Sequence, residues 1–183
     1  QDTMTVSSKE SITIQKNAFG AKLTESNFHL GLELQTKYMW RGIEYGTAPV
    51  LFPQINYSNW GLNVYAMGGY AIDGSHAEVH LGISYSFYGV TIGLNDYYYP
   101  TSVGEKDSYF NFKHGETWHS LEACIGYYPE KLPFWLLAST YIAGADLIPE
   151  TSKNAYSTYL EAGVYYDFLH NHHKFFHLVQ LTY

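Results

Sequence analysis

The chain has 183 residues, a formal net charge of −7 and one cysteine, Cys124, which allows one domain with a full core and excludes an internal disulfide framework. Its acidic charge is dispersed and no basic patch is present, which argues against nucleic acid as a partner. The longest uninterrupted apolar run, Phe134 to Ala138, falls far short of the roughly 20 residues that a membrane-crossing helix needs.

Residues 1–26 read as an N-terminal segment, partly extended or irregular, and the chain opens on Gln1, an end that signal cleavage or trimming would leave. Within it Ile12 and Ile14 are thin support for a strand in 10–24. The clearest pattern spans 27–41. Phe28, Leu30, Leu32, Leu34, Thr36, Tyr38 and Trp40 alternate with His29, Gly31, Glu33, Gln35, Lys37, Met39 and Arg41. Successive strand side chains point to opposite faces, so this period of two predicts one long strand with a greasy and a polar side. A tilted membrane strand needs about 9–11 residues, against about 5–6 for an ordinary strand.

Segment 49–58 contains two prolines, Pro49 and Pro53, and is assigned a strand mainly by position, and 61–71 is a weak copy of the alternation. In 77–87, Ala77, Val79, Leu81, Ile83, Tyr85 and Phe87 oppose Glu78, His80, Gly82, Ser84 and Ser86. Weak copies follow at 90–99 and 117–128, and 133–143 is again placed by position. In 155–168, Tyr156, Thr158, Leu160, Ala162, Val164, Tyr166 and Phe168 oppose Tyr159, Glu161, Gly163, Tyr165 and Asp167, and 173–183 closes the series. Bacterial single-chain barrels have even strand counts. The odd number of segments therefore implies a further strand, from 10–24 or beyond Tyr183, with the second preferred.

Ser58-Asn59, Tyr88-Gly89, Pro129–Pro133 and Leu169–His173 read as tight links, whereas 42–48, 72–76, 100–116 and 144–154 read as longer loops. Short turns at one end and longer loops at the other are the asymmetry of an outer-membrane barrel. The aromatic content, 19 Tyr, 10 Phe and 4 Trp, is unusual beside a mean hydropathy of −0.22. It suits a membrane–water boundary, where a ring can be apolar at one end and wet at the other. A Tyr-rich soluble β-sandwich or sugar-binding domain would share that content, but its outer face would be polar. The expected fold is therefore all-β: an antiparallel up-and-down transmembrane β-barrel over 27–183, of about ten strands within a range of about 8 to 12.

Thr36-Lys37-Tyr38-Met39-Trp40-Arg41-Gly42 resembles the first-strand signature of the TorF-type porins, in which an aromatic residue, two spacers and Arg-Gly close the opening strand. Pro49 to Gln54, Glu78 to Tyr85, Asp96 to Pro100, His119 to Ala123, Leu132-Pro133 and Ser157 to Glu161 follow in the family's order, so the resemblance covers roughly residues 27–168. It implies an outer-membrane barrel of a Gram-negative bacterium. It also implies further strands beyond those in this chain.

On the polar faces the candidate lumen-lining residues are Glu33, Lys37, Arg41, Glu78, His80, Glu122 and Glu161, with Asp167. A barrel of about 8 strands is filled by its side chains, so paired charges packing a narrow lumen are the first expectation and a narrow selective passage the second. Catalysis is not expected. His80, Ser84 and Glu122 share a face, but His80 and Ser84 lie about 13 Å apart at ordinary strand rise, too far for a nucleophile–base bond. His119-Ser120 face opposite sides. The tract His170-Asn171-His172-His173, with His177 nearby, lacks an accompanying carboxylate or Cys cluster and reads as a solvated turn. No cofactor or metal is expected. Loop 100–116 is the best candidate for surface recognition. The expected partners are outer-membrane lipid (phospholipid and lipopolysaccharide) and other outer-membrane proteins. Function is expected to be non-catalytic: passage of small solutes, with a structural subunit of a larger outer-membrane complex as the alternative.

Overall fold

Strict alternation leaves each strand one apolar edge row and one polar row, and a sheet built from such strands must present them on opposite sides. The computed structural model of the chain describes residues 3–4, 27–100, 108–169 and 173–182, with side chains from 27 to 100 and from 108 to 164. In chain order the strands are β1 (Thr3–Met4), β2 (Phe28–Gln35), β3 (Tyr38–Trp40), β4 (Ile43–Gly46), β5 (Val50–Asn59) and β6 (Leu62–Ala71). They continue as β7 (Ala77–Phe87), β8 (Val90–Tyr98), β9 (His119–Tyr127), β10 (Phe134–Gly144), β11 (Thr158–Leu169) and β12 (His173–Thr182). Ten of them form one antiparallel sheet in the order β1-β2-β5-β6-β7-β8-β9-β10-β11-β12, and β3 and β4 pair only with each other. The meander is the up-and-down order expected. Among the described residues no pairing joins β12 back to β1 or β2.

Residues from eight neighbouring strands, β2 and β5 to β11, line one cavity of about 640 Å³. Laid flat, those strands would extend about 34 Å at a spacing of about 4.8 Å, so the sheet curls. Its two faces have reversed polarity. On the concave side Glu78, His80, Asn95, Ser120, Glu122 and Ser139 are all less than a tenth exposed. On the convex side Leu30, Ile83, Ile125 and Val164 remain 75%, 49%, 54% and 53% exposed. For β7 the split matches the alternation residue by residue, with Leu81, Ile83, Tyr85 and Phe87 outward and Glu78, His80 and Ser84 inward.

Two links are two-residue turns. Trp60-Gly61 joins β5 to β6 and Tyr88-Gly89 joins β7 to β8, each with positive φ at both residues, as the right-handed twist of a hairpin favours. A left-handed conformation costs a non-glycine residue roughly 1–2 kcal/mol, yet aromatic residues occupy both places and stand almost fully in the open, Trp60 at 83% and Tyr88 at 99%. Pro53 on β5 has no N–H. The β5–β6 ladder accordingly skips from Leu51↔Tyr70 to Gln54↔Met67. On β10 the register slips between Tyr141 and Ala143, an irregularity that bends a strand.

Concave glycines make room for rings from neighbouring strands. A Cβ on Gly82 would fall 2.0 Å from Cε1 of Tyr65 and 2.8 Å from Asn95 Oδ1, while the Tyr65 hydroxyl donates to that oxygen at 3.1 Å. Gly82→Ala must displace the ring and its bond. The expected loss is about 1–3 kcal/mol, read from the urea midpoint of the refolded protein. Gly46→Ala, where the added Cβ meets nothing within 4 Å, is expected to stay within about 0.5 kcal/mol of the unchanged chain.

The opening segment departs from its reading as one strand over 27–41. Pairing with β5 ends at Gln35, and the chain turns at Thr36-Lys37. Tyr38 to Gly46 then double back as the β3–β4 hairpin around Arg41-Gly42, whose φ values of 50° and 79° suit a two-residue turn. Tyr38 and Trp40 therefore leave the greasy outer row. Tyr38 is buried with Val50, Phe52 and Ala71 on the concave side, and Trp40 packs against that cluster. The physical reason is polar: both carry a hydrogen-bonding group, and the concave side offers Tyr38 the Glu78 carboxylate. Tyr156, assigned to the last long strand, lies before β11 in a loop with φ 56°. The possible strand in 10–24 and the turn residues His170, Asn171 and His172 lie outside the described residues, as do the side chains of Asp167, His173 and His177.

Candidate functional site

The β3–β4 hairpin enters the concave side from the β2 end and reaches across to the far wall. Arg41, at its tip, sits between β2 in sequence and β9–β11 in space. Its Nη1 lies 2.7 Å from Glu122 Oε1 on β9, and its Nη2 donates to Glu122 Oε2 at 3.0 Å and to Ser139 Oγ on β10 at 3.1 Å. The rings of Trp40 and of Tyr159 on β11 each lie 4.3 Å from its Cζ. Tyr97 on β8 donates its hydroxyl to Glu122 Oε2 at 2.8 Å. Burial opposes the charge on Arg41, but the bond to Glu122 and that carboxylate's field outweigh it, and the guanidinium's pKa is raised. One guanidinium nitrogen thus donates to β9 and β10 while the other closes on the same carboxylate, a reach that suits arginine better than lysine.

A second group anchors the base of the hairpin. Glu78 is fully buried; its Oε2 lies 3.1 Å from His76 Nε2 and 3.3 Å from His80 Nε2. Tyr38 packs edge-on to Phe52 at 5.1 Å between centroids and against His76 at 5.4 Å. Burial, followed by the adjacent Glu78 charge, pushes the Tyr38 phenol well above its ordinary pKa, so it stays neutral beside that carboxylate. Nearer the short turns, amides and hydroxyls close the concave floor: Asn56 donates to Asn63 at 2.6 Å, Ser58 to Asn56 at 2.7 Å, and Ser86 meets Thr91 at 2.8 Å.

Of the residues singled out in the sequence, Glu33, Arg41, His80, Glu122 and Glu161 line the cavity together. Arg41 and Glu122 bond directly. Glu161 accepts from Tyr159 Oη at 2.6 Å and Glu33 from Gln35 Nε2 at 3.0 Å. Glu78 also faces inward but does not line the cavity, being fully buried beside His76 and His80. Lys37 is not among the lining residues, because the chain turns before it; it pairs with Glu44 at 2.7 Å on the half-exposed rim of the hairpin. His80 faces Glu78 and the edge of Tyr97, and among the described residues no hydrogen bond joins it to Ser84. Tyr97, Ser139 and Tyr159, which complete the setting of Arg41, were not singled out as lining residues: Tyr97 lies in a weak alternation, Ser139 in a segment placed by position, and Tyr159 was read only as a polar-face position of 155–168.

A charged group lies on the convex side. Asp96 shares the outer row of β8 with Leu94, and His119 lies opposite Tyr98 at the start of β9. His119 Nδ1 is 2.8 Å from Asp96 Oδ2, and its Nε2 donates to the Tyr109 carbonyl at 2.6 Å. Residues 108–118 fold down over the pair, with Phe112 at 4.4 Å and Tyr109 at 5.0 Å from the imidazole by ring centroid. Both ring nitrogens are therefore engaged, and neither is offered to a serine or threonine. The other part of the proposed recognition loop, residues 101–107, lies outside the described residues.

No protein-family model, no curated protein and no solved structure matches the chain.

Proposed function

We propose that the chain is a non-catalytic outer-membrane β-barrel of porin type, akin to the TorF-type porins its motifs resemble, whose narrow polar lumen passes small solutes past the β3–β4 hairpin. The observation that carries this reading is the reversed polarity of the curled sheet: Glu78, His80, Glu122 and Ser139 turned inward and Leu30, Ile83, Ile125 and Val164 left bare outside. In water that arrangement would expose an apolar band and bury charge, both unfavourable. In lipid the apolar band becomes favourable, and the concave side becomes the one place where the charges avoid hydrocarbon. Strands of 8 to 12 residues from β2 and β5 through β11 have the length of tilted membrane strands. Exposed Trp60 and Tyr88 in the short turns, with Phe28, Tyr85, Phe87 and Tyr127 in the adjoining outer row, fit an interfacial belt. Lipid of the outer membrane is then the solvent of the convex face.

The passage itself is tested by recording single channels from refolded, purified protein in planar lipid bilayers. Discrete conductance steps are expected. Their absence would sink the transport reading. The hairpin's occupation of the concave space also favours a second reading, a structural barrel subunit of a larger outer-membrane complex. It expects silent bilayers, together with recovery of the protein in one particle with other outer-membrane proteins after mild detergent extraction.

A further inference from the structure

We propose that the passage conducts cations in preference to anions, with Glu33 and Glu161 as the residues that set this preference. The inference rests on the reading of the cavity as a passage and names the class of solute it takes. Its basis is which charges on the wall are already spent. Among the described residues that line the cavity, the carboxylates are Glu33, Glu122 and Glu161, and Arg41 is the only lysine or arginine.

Arg41 is not free to meet an anion. Nη1 faces Glu122 at 2.7 Å, Nη2 donates to Glu122 and Ser139, and two aromatic rings lie 4.3 Å from its Cζ. It pins the hairpin and cancels Glu122. Glu33 and Glu161 are different. Each accepts a hydrogen bond from a neutral donor, Gln35 and Tyr159 respectively, which fixes the carboxylate in place and leaves its charge uncompensated. Lys37, which would have balanced one of them, is held by Glu44 outside the cavity.

Among the described residues the wall thus presents two fixed negative charges and no available lysine or arginine. A monovalent cation about 4 Å from one such carboxylate is favoured about fivefold even at the dielectric constant of water, and low-dielectric walls strengthen the effect.

The test is the zero-current potential across a bilayer holding the protein between unequal KCl solutions. The unchanged protein is expected to pass potassium several-fold faster than chloride. Glu33→Gln with Glu161→Gln, which keeps both hydrogen bonds and removes both charges, is expected to bring the ratio close to one. A ratio at or below one in the unchanged protein overturns the proposal without reliance on any variant. Selectivity that persists undiminished in the double variant overturns the role of these two residues. Bilayers that stay silent remove the passage, and the preference with it.

Discussion

Arg41→Ala is expected to destabilise the protein by about 3–5 kcal/mol, the usual penalty for leaving one partner of a buried ion pair alone. The carboxylate left behind, Glu122, is 1% exposed. After the change it keeps only the Tyr97 hydroxyl at 2.8 Å and the weaker Asn95 amide at 3.5 Å. Two neutral donors do not offset a desolvated charge. Trp40 and Tyr159 also lose the guanidinium they flank, worth about 0.5–2 kcal/mol in cation–π terms. Urea unfolding followed by tryptophan emission measures the loss. Arg41→Met combined with Glu122→Gln removes both charges and is expected to recover most of it, so that a double-mutant cycle assigns the penalty to the pair. Equal losses in single and double variants would mean that Arg41 acts through packing alone.

Replacing residues 38–46 by a short glycine-rich link is expected to raise single-channel conductance several-fold. Tyr38, Trp40 and Arg41 stand on the concave side between β5 and β9–β11, and the proposed barrel, if closed by about ten strands, would have little cross-section to spare. The link removes that obstruction and leaves the β2–β5 ladder, which runs from Phe28↔Tyr57 to Gln35↔Val50. Glu78 loses Tyr38 in the process but keeps His76 and His80. An unchanged conductance would place the narrowest point of the passage elsewhere.

Alternation alone located most of the sheet. β7 is the clearest case, since Val79, Leu81, Ile83, Tyr85 and Phe87 read as one face and occupy one face. The hairpin was illegible for a definite reason. Extended chain alternates whether it continues or reverses, and the reversal here depends on Arg41 adopting a positive φ before Gly42. The same long-residue–glycine pair was read as a tight link at Tyr88-Gly89, where the clear alternation of 77–87 ends and a new one begins at 90. At Arg41-Gly42 the aromatic row ran up to the turn and hid it.

The contacts of the site were less legible still. Arg41 meets residues 81 and 98 positions away, and a period of two says which face a side chain takes, not what lies across the cavity. Asp96 breaks the apolar row of β8, a departure that signals either an error of register or a local partner. The partner is His119 under Tyr109 and Phe112, contributed by a loop whose fold no strand pattern encodes.

The central claim is that the convex face meets lipid and the concave face does not. Single cysteines at Val79, His80, Leu81, Ser84 and Tyr85 of β7, each in a Cys124→Ser background and carrying a nitroxide spin label in lipid vesicles, test it most directly. Collisions with oxygen, which concentrates in the bilayer, are expected to dominate at Val79, Leu81 and Tyr85, and to fall at His80 and Ser84 with a period of two. Labels at Val79, Leu81 and Tyr85 that collide instead with a water-soluble nickel chelate would contradict the account.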